Sequence, residues 1–387
     1  MNPALPRPSA LGALPNRRGV ALPLALFVLV IAATMITAVF YVARLEQRMG
    51  NNSLATARAF EAAEGGVAAT LANWDHLTYN GLANDSTLTL PTTDIGGSAV
   101  YTTSIRRLSS TLFLIRAEGE FLTGGRVVTR RQVARLVRTD PAGINPQAAI
   151  TSRVGLTVSG SPPPPTVSGR DTIPGGWGAV CPAPGPMAPG IRDSTGVVTT
   201  SGACSGASCI SGTPPIQTDP AVTSAVFTNF GSEDFATLSA NADKTASGSP
   251  IPAASTVAGP PVRCQYSDPN NWGDPLNPSG VCGGYFPIIY APGDVTLAGG
   301  WGQGILLVQG NLTLSGGEFY GVAIVQGNVT ASGSHIIGGL MINNVAAGPT
   351  VVTGNAAVTF SRCAVNRATR ASSLVKALSE RSWAQLY

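Results

Sequence analysis

Six cysteines, Cys181, Cys204, Cys209, Cys264, Cys282 and Cys363, are the most concentrated reactive residues of this sequence. Thiols hold metals when they stand at short fixed spacings with histidines, and they form disulfides when spread through a loop-rich extracytoplasmic region. No Cys-x-x-Cys pair occurs, and the two histidines, His76 and His335, fall in different predicted domains. Disulfides are therefore expected, with no metal and no cofactor. Cys264 and Cys282 bracket a compact Pro/Asn/Gly loop and make the first pairing. Cys181, Cys204 and Cys209 compete for the next, and Cys363 takes the remaining partner.

Other chemistry-bearing residues read as structural. Glu61 and Glu64 stand three apart on a helical stretch, where acids are usually solvated charges. His76 follows Asp75 directly, and adjacent side chains seldom face each other, so a capping or surface role is expected. Asp268-Pro269-Asn270-Asn271-Trp272-Gly273-Asp274 resembles a calcium loop in outline, yet Trp272 sits where an oxygen ligand belongs and Ser279 where the bidentate acid belongs. An Asx-rich turn is the better reading. No GxxxxGK, no HExxH and no GxSxG with matching partners is present, so no enzymatic activity is expected. Only two of the 24 basic residues are lysines, Lys244 and Lys376, which disfavours lysine chemistry.

The element that positions everything else is the uncharged run from Val20 to Ala43, VALPLALFVLVIAATMITAVFYVA. As a helix it spans roughly 36 Å, enough to cross a bilayer core of about 30 Å. Arg17 and Arg18 before it and the bulk of the chain after it predict a single-pass inner-membrane protein with an extracytoplasmic carboxyl-terminal region. Residues 1–19 contain four prolines, three arginines and no acid, and read as a leader. Without them the formal charge falls from +4 to +1.

A basic pair and Gly19 ahead of a long apolar run resemble the class III signal of type IV pilins and pseudopilins. The resemblance implies cleavage after Gly19 by a prepilin peptidase that recognises Arg17 and Arg18, and N-methylation of Val20. Those families usually carry Glu at the fifth mature position, where this chain has Leu24; PilX-type minor pilins lack it too. Pro23 falls in the first turn, where its missing N–H is not needed. The segment LEQRMGNNSLATARAFEAAEGGV, including Phe60 to Glu64, also resembles PilX-type proteins. Its helical pattern is broken at Gly50-Asn51-Asn52-Ser53, which predicts a kink or melted turn.

Residues 44–97 thus read as helix extension and linker, and 98–140 as three antiparallel strands of a pilin-like body. The strands carry Arg106, Arg107, Arg116, Arg126, Arg130, Arg131, Arg135 and Arg138 against Glu118 and Glu120. With no interleaved aromatics to stack bases, a solvated face is preferred over a nucleic-acid surface.

Beyond Asp140 a repeat dominates. Gly293-Asp294-Val295-Thr296-Leu297, Gly310-Asn311-Leu312-Thr313-Leu314 and Gly327-Asn328-Val329-Thr330 recur every 17 residues, and Gly155–Gly160 echoes them. That period suits a rung of a β-solenoid, or parallel β-helix. The expected layout is a first coil at 141–160, a Pro/Gly/Cys-rich insertion at 161–284, repeats at 285–365 and a C-terminal cap at 366–387. From Cys264 to Ser361 no Lys or Arg occurs and only four acids do, so the walls are nearly neutral, against a polysaccharide-cleaving solenoid.

The fold class expected is α+β: a long transmembrane pilin helix, a small antiparallel sheet and a β-solenoid-like head. The function expected is that of a PilX-like minor pilin in assembly or at the tip of a type IV pilus-like filament at the cell surface, with adhesion as a role for the head. Its partners would be other pilin subunits, the prepilin peptidase and the inner-membrane assembly machinery. The alternative is a membrane-anchored adhesin that keeps its signal anchor.

Overall fold

The computed structural model describes residues 21–253, 257–259, 262–345, 350–371, 374–378 and 383–386. Arg17, Arg18, Gly19 and Val20 lie outside the described residues. Helix α1 (Ala21–Ala72) runs without interruption through Gly50-Asn51-Asn52-Ser53, where the sequence predicts a break. Each of those residues costs only a fraction of a kcal/mol up to about 1 kcal/mol in a helix. Good helix formers on both sides, Arg48, Met49, Leu54 and Ala55, let propagation carry across the weak turn.

The second half of α1 is buried along one stripe, Ala55, Ala59, Ala62, Ala63, Gly66, Val67 and Thr70. It lies on an antiparallel sheet. After α2 (His76–Tyr79) come β1 (Thr87–Thr89), β2 (Thr93–Gly96), β3 (Ala99–Arg107), β4 (Leu112–Thr123) and β5 (Arg126–Asp140). The sheet therefore begins about ten residues earlier than the sequence pattern indicates, because β1 and β2 are too short to show alternation. Ile105, Phe113, Ile115, Ala117, Val133 and Val137 are fully buried beneath the helix. At Gly119 the strand backbone meets the helix backbone, and a Cβ there would overlap the carbonyl oxygen of Ala59.

The head is built on one curled sheet whose strands all pair in parallel, with two small antiparallel pairs beside it. Its first part comprises β6 (Ile150–Ser152), β7 (Leu156–Gly160), β8 (Thr166–Ser168), β9 (Ile191–Asp193), β10 (Val198–Gly202), β11 (Ile210–Ser211) and β12 (Ile216–Thr218). Two short helices, α3 (Ala225–Thr228) and α4 (Phe235–Ala240), follow, with a small hairpin of β13 (Asn229–Phe230) and β14 (Glu233–Asp234). Next are β15 (Lys244–Thr245), the pair β16 (Val257–Ala258) and β17 (Arg263–Cys264), and then β18 (Ile288–Ala291). The long strands β19 (Val295–Val308) and β20 (Leu312–Val325) precede β21 (Val329–Ala331), β22 (His335–Ile342), β23 (Thr350–Val352) and β24 (Ala357–Phe360).

The 17-residue period is the register of this sheet: Val295 pairs with Leu312 and Leu312 with Val329, while Leu306 pairs with Ala323 and Ala323 with Leu340. At one corner, Gly304, Gly321 and Gly338 stack at φ of 120°, 135° and 147°. A Cβ on Gly321 or Gly338 would overlap the carbonyl of the glycine one rung earlier, so both conformation and spacing demand glycine. At another corner the Asn311 N–H donates to Asp294 Oδ1 (2.8 Å) and the Asn328 N–H donates to Asn311 Oδ1 (2.9 Å).

The order of rungs differs from the predicted layout. β22 pairs along its first half with β24 and along its second half with β6, so one rung is shared between segments near 150 and near 360. β7 then pairs with β23, β8 with β24, and β9 with β6. The first coil thus abuts the last repeat, and residues 161–218 continue the sheet instead of forming an insertion. The runs Thr-Val-Ser, Ile-Arg-Asp and Ile-Gln-Thr are too short, and their connecting loops too rich in Pro and Gly, for the pattern to show.

Strands β19, β20 and β22 bury both faces of their second halves. Leu306, Ala323 and Leu340 point into the curl, while Ile305, Leu307 and Ile324 face a second core with Trp177, Phe227, Phe286 and helix α5 (Arg362–Ala371). This explains the uninterrupted runs ILLV and VAIV. The chain's end is no solenoid cap: β25 (Leu374–Ala377) and β26 (Trp383–Leu386) return to pair with the outer edge of β5. An otherwise bare edge of the first sheet is the surface that needed them.

Two predictions follow from this packing. Gly119→Ala is expected to lower unfolding stability by about 2–3 kcal/mol, whereas Gly65→Ala, with open space around it, should raise it by up to about 1 kcal/mol, both measured by denaturation in detergent. Truncation after Ala371 should leave the head folded by circular dichroism and shift the protein to aggregates on size exclusion, because the edge of β5 is uncovered.

Candidate functional site

The feature of the molecule most in need of a partner is the first half of α1. None of residues 21–54 is buried by the rest of the chain, and Leu22, Phe27 and Phe40 are 78%, 65% and 67% exposed. The helix is long and apolar enough to cross a membrane. Its interior polar groups are answered locally: Thr34 Oγ1 donates to the Ile31 carbonyl and Thr37 Oγ1 to the Ala33 carbonyl, each at 2.8 Å. Such hydroxyls make no demand on a surrounding apolar medium. Val30, Ala33, Thr34, Thr37, Ala38 and Tyr41 form a shallow concavity on one side of the helix, where small side chains admit close approach of another backbone. Leu24 is 63% exposed, and Pro23 lies in the first turn.

Six of the eight arginines of the antiparallel sheet find partners within the chain, and the Nε atoms of Arg131 and Arg135 are buried without a hydrogen-bond partner among the described residues. Arg106 pairs with Asp85 (3.2 Å), Arg130 with Glu120 (2.6 Å) and Glu118 (3.5 Å), and Arg138 with Asp140 (2.8 Å). Arg116 donates to Gln132 Oε1. Arg107 turns inward and donates to the carbonyls of Asn80, Leu82, Ser109 and Ser110. Glu61 pairs with Arg58 on an exposed helix face.

All six cysteines are joined: Cys264 to Cys282, Cys204 to Cys209, and Cys181 to Cys363. The last bond fastens α5 to the loop that carries Trp177. The Asp268–Asp274 segment is a series of Asx turns, with the Asn270 N–H on Asp268 Oδ1 and the Gly273 N–H on Asn271 Oδ1. Among the described residues no cluster of three metal-ligating side chains forms.

Of the capping or surface role expected at Asp75-His76, Asp75 takes the cap of α2, its Oδ1 accepting the Thr78 N–H at 3.1 Å, and His76 departs from the surface. It is buried, and its Nε2 lies 3.2 Å from Asp243 Oδ2, which also accepts the Ile288 N–H at 2.7 Å. His76 therefore ties α2 to the head just before β15. Sequence gives no signal for this contact, because its partners lie 167 residues apart. Gly119, by contrast, carried one: an isolated glycine within a strand marks close backbone approach.

No family model matches the chain, and no curated protein does. Among solved structures, the crystal structure of the competence-associated pilin ComZ from Thermus thermophilus aligns at 12% identity over 86% of this chain and 97% of that one, with a TM-score of 0.24. A likeness of that size carries no argument about this chain.

Proposed function

We propose that the protein is a minor pilin-like subunit that assembles into, or sits at the tip of, a type IV pilus-like filament. The observation that carries this reading is the division of α1 into a half sealed on its own sheet and a half with no cover. An apolar surface of that extent needs lipid or other apolar helices around it. A filament subunit meets both needs in turn, first in the bilayer and then among neighbouring helices. The head, which we read as a β-solenoid of 17-residue rungs, is then the displayed part, with adhesion as its role. The near lack of charge on its repeats from Cys264 to Ser361 fits a mechanical or binding task better than catalysis.

The class III signal pattern at Arg17, Arg18 and Gly19 supports processing after Gly19 and methylation of Val20. Other subunits, a prepilin peptidase and an inner-membrane assembly machinery are the partners this reading requires.

Intact mass of the membrane-extracted protein tests it. Loss of residues 1–19 with a gain of one methyl group is expected, together with copurification in sheared surface fibres. A full-length mass in cells with an active prepilin peptidase, and absence from fibres, would replace this reading with a permanently anchored surface adhesin.

A further inference from the structure

A cleft of about 550 Å³ lies where the antiparallel sheet meets α5. Arg107 and Arg138 stand on the sheet side and Arg367 and Arg370 on the helix side, with Thr111 and Phe286 between them. Two of these cations have no anionic counterpart: among the described residues no carboxylate pairs with Arg107 or with Arg367. Arg107 spends its N–H groups on four backbone carbonyls, which carry partial charge only. Arg367 donates to the Gly283 carbonyl at 3.3 Å, and its guanidinium lies 5.3 Å from the ring of Trp177 and 5.1 Å from that of Phe286. Its Nε is buried with no hydrogen-bond partner.

Drawing a guanidinium partly out of water is unfavourable unless an opposite charge is supplied. Burial lowers the pKa of both Arg107 and Arg367, and no carboxylate acts in the other direction. Ring faces and carbonyls return only part of that cost. Placing two such groups on opposite walls of one cleft, with Arg138 and Arg370 at its rim, gathers positive potential into a single concave site. Arg138 is partly neutralised by Asp140 and keeps its other donors.

We propose that this cleft binds a small oxyanion-bearing ligand, a phosphate or a carboxylate, between the sheet and α5. Its volume falls in the range of small-molecule sites and exceeds that of a bare phosphate, so the anionic group would be carried on a larger molecule. Guanidinium forks suit either group, since both present paired oxygens to parallel N–H donors. The proposal does not depend on the filament reading.

Titrating the full-length protein in a non-ionic detergent with inorganic phosphate and, separately, with citrate at constant ionic strength tests it. Saturable binding of at least one anion is expected by calorimetry, with a matching rise in melting temperature; the tighter one identifies the group. Arg138→Gln and Arg370→Gln should each raise the dissociation constant about tenfold, the loss of one charge-assisted hydrogen bond. Arg126→Gln, at the exposed hairpin tip of the same sheet, removes the same charge and should leave binding unchanged. Absence of saturable binding by both anions, or equal weakening by Arg126→Gln, would overturn the proposal.

Discussion

The contact between the backbone of α1 at Ala59 and the backbone of β4 at Gly119 leaves no space for a methyl group, and much of the molecule is arranged around keeping that contact. A helix can approach a sheet so closely only if its facing stripe is made of small residues. The run Ala55, Ala59, Ala62, Ala63 and Gly66 provides it. Larger apolar groups, Phe113, Ile115, Val133 and Val137, then close the flanks of the seam. The helix extends well beyond this seam, first through the exposed polar stretch from Arg44 to Ser53 and then into a segment, Ala21 to Ala43, that is apolar all round. Such a surface belongs to an environment without water. The two halves of one helix are thus adapted to different surroundings, and the sheet marks where one ends.

The head solves a different problem. A parallel sheet that curls on itself exposes strand edges at both ends of the stack, and the outward faces of its strands stay bare unless another element covers them. The chain meets this by covering one wall with α5 and the Trp177 loop, which turns the ILLV and VAIV segments into strands buried on both faces. It also fills one rung from two distant segments, β24 and β6. Pairing residues near 150 with residues near 340 and 360 makes the head a single cooperative unit, since neither stack has a complete end without the other. The Cys181–Cys363 bond, between residues separated by 182 positions, closes the same long loop covalently.

Where periodicity was strong, the sequence was informative about these elements. The uncharged stretch to Ala43, the alternation from Ala99 to Arg138 and the 17-residue recurrence each correspond to an observed helix, strand set or register. What escaped was set by length and distance. Strands of two or three residues, such as β11 and β12, are below the reach of any period. The return of β25 and β26 to β5 depends on an edge defined more than 230 residues earlier in the chain. Asn51, Asn52 and Ser53 misled in the opposite direction, because their local preference for a turn was weaker than the cooperativity of the surrounding helix. For the candidate site, the apolar half of α1 was legible from composition alone. Arg107 and Arg367 were not, since their significance lies in which walls of a cleft they share.

Charge then separates the molecule into regions with different means of recognition. Between Cys264 and Ser361 there is no Lys or Arg and there are only four acids, so the walls of the 17-residue repeats contact a partner mainly through backbone, hydroxyl and amide groups, with Asp294, Glu318 and His335 as the charged or titratable exceptions. Such surfaces distinguish partners by shape and hydrogen bonding and depend little on salt. The apolar half of α1 offers only close apolar packing. Much of the formal positive charge lies on the antiparallel sheet and α5, and three of its arginines, Arg106, Arg130 and Arg138, are answered by Asp85, Glu118, Glu120 and Asp140. At the junction with the head, Arg107 and Arg367 pair with no carboxylate among the described residues. An electrostatic contact made by this protein is therefore most sensitive to the placement of α5, the element that the Cys181–Cys363 bond and the return of the chain to β5 hold from both ends.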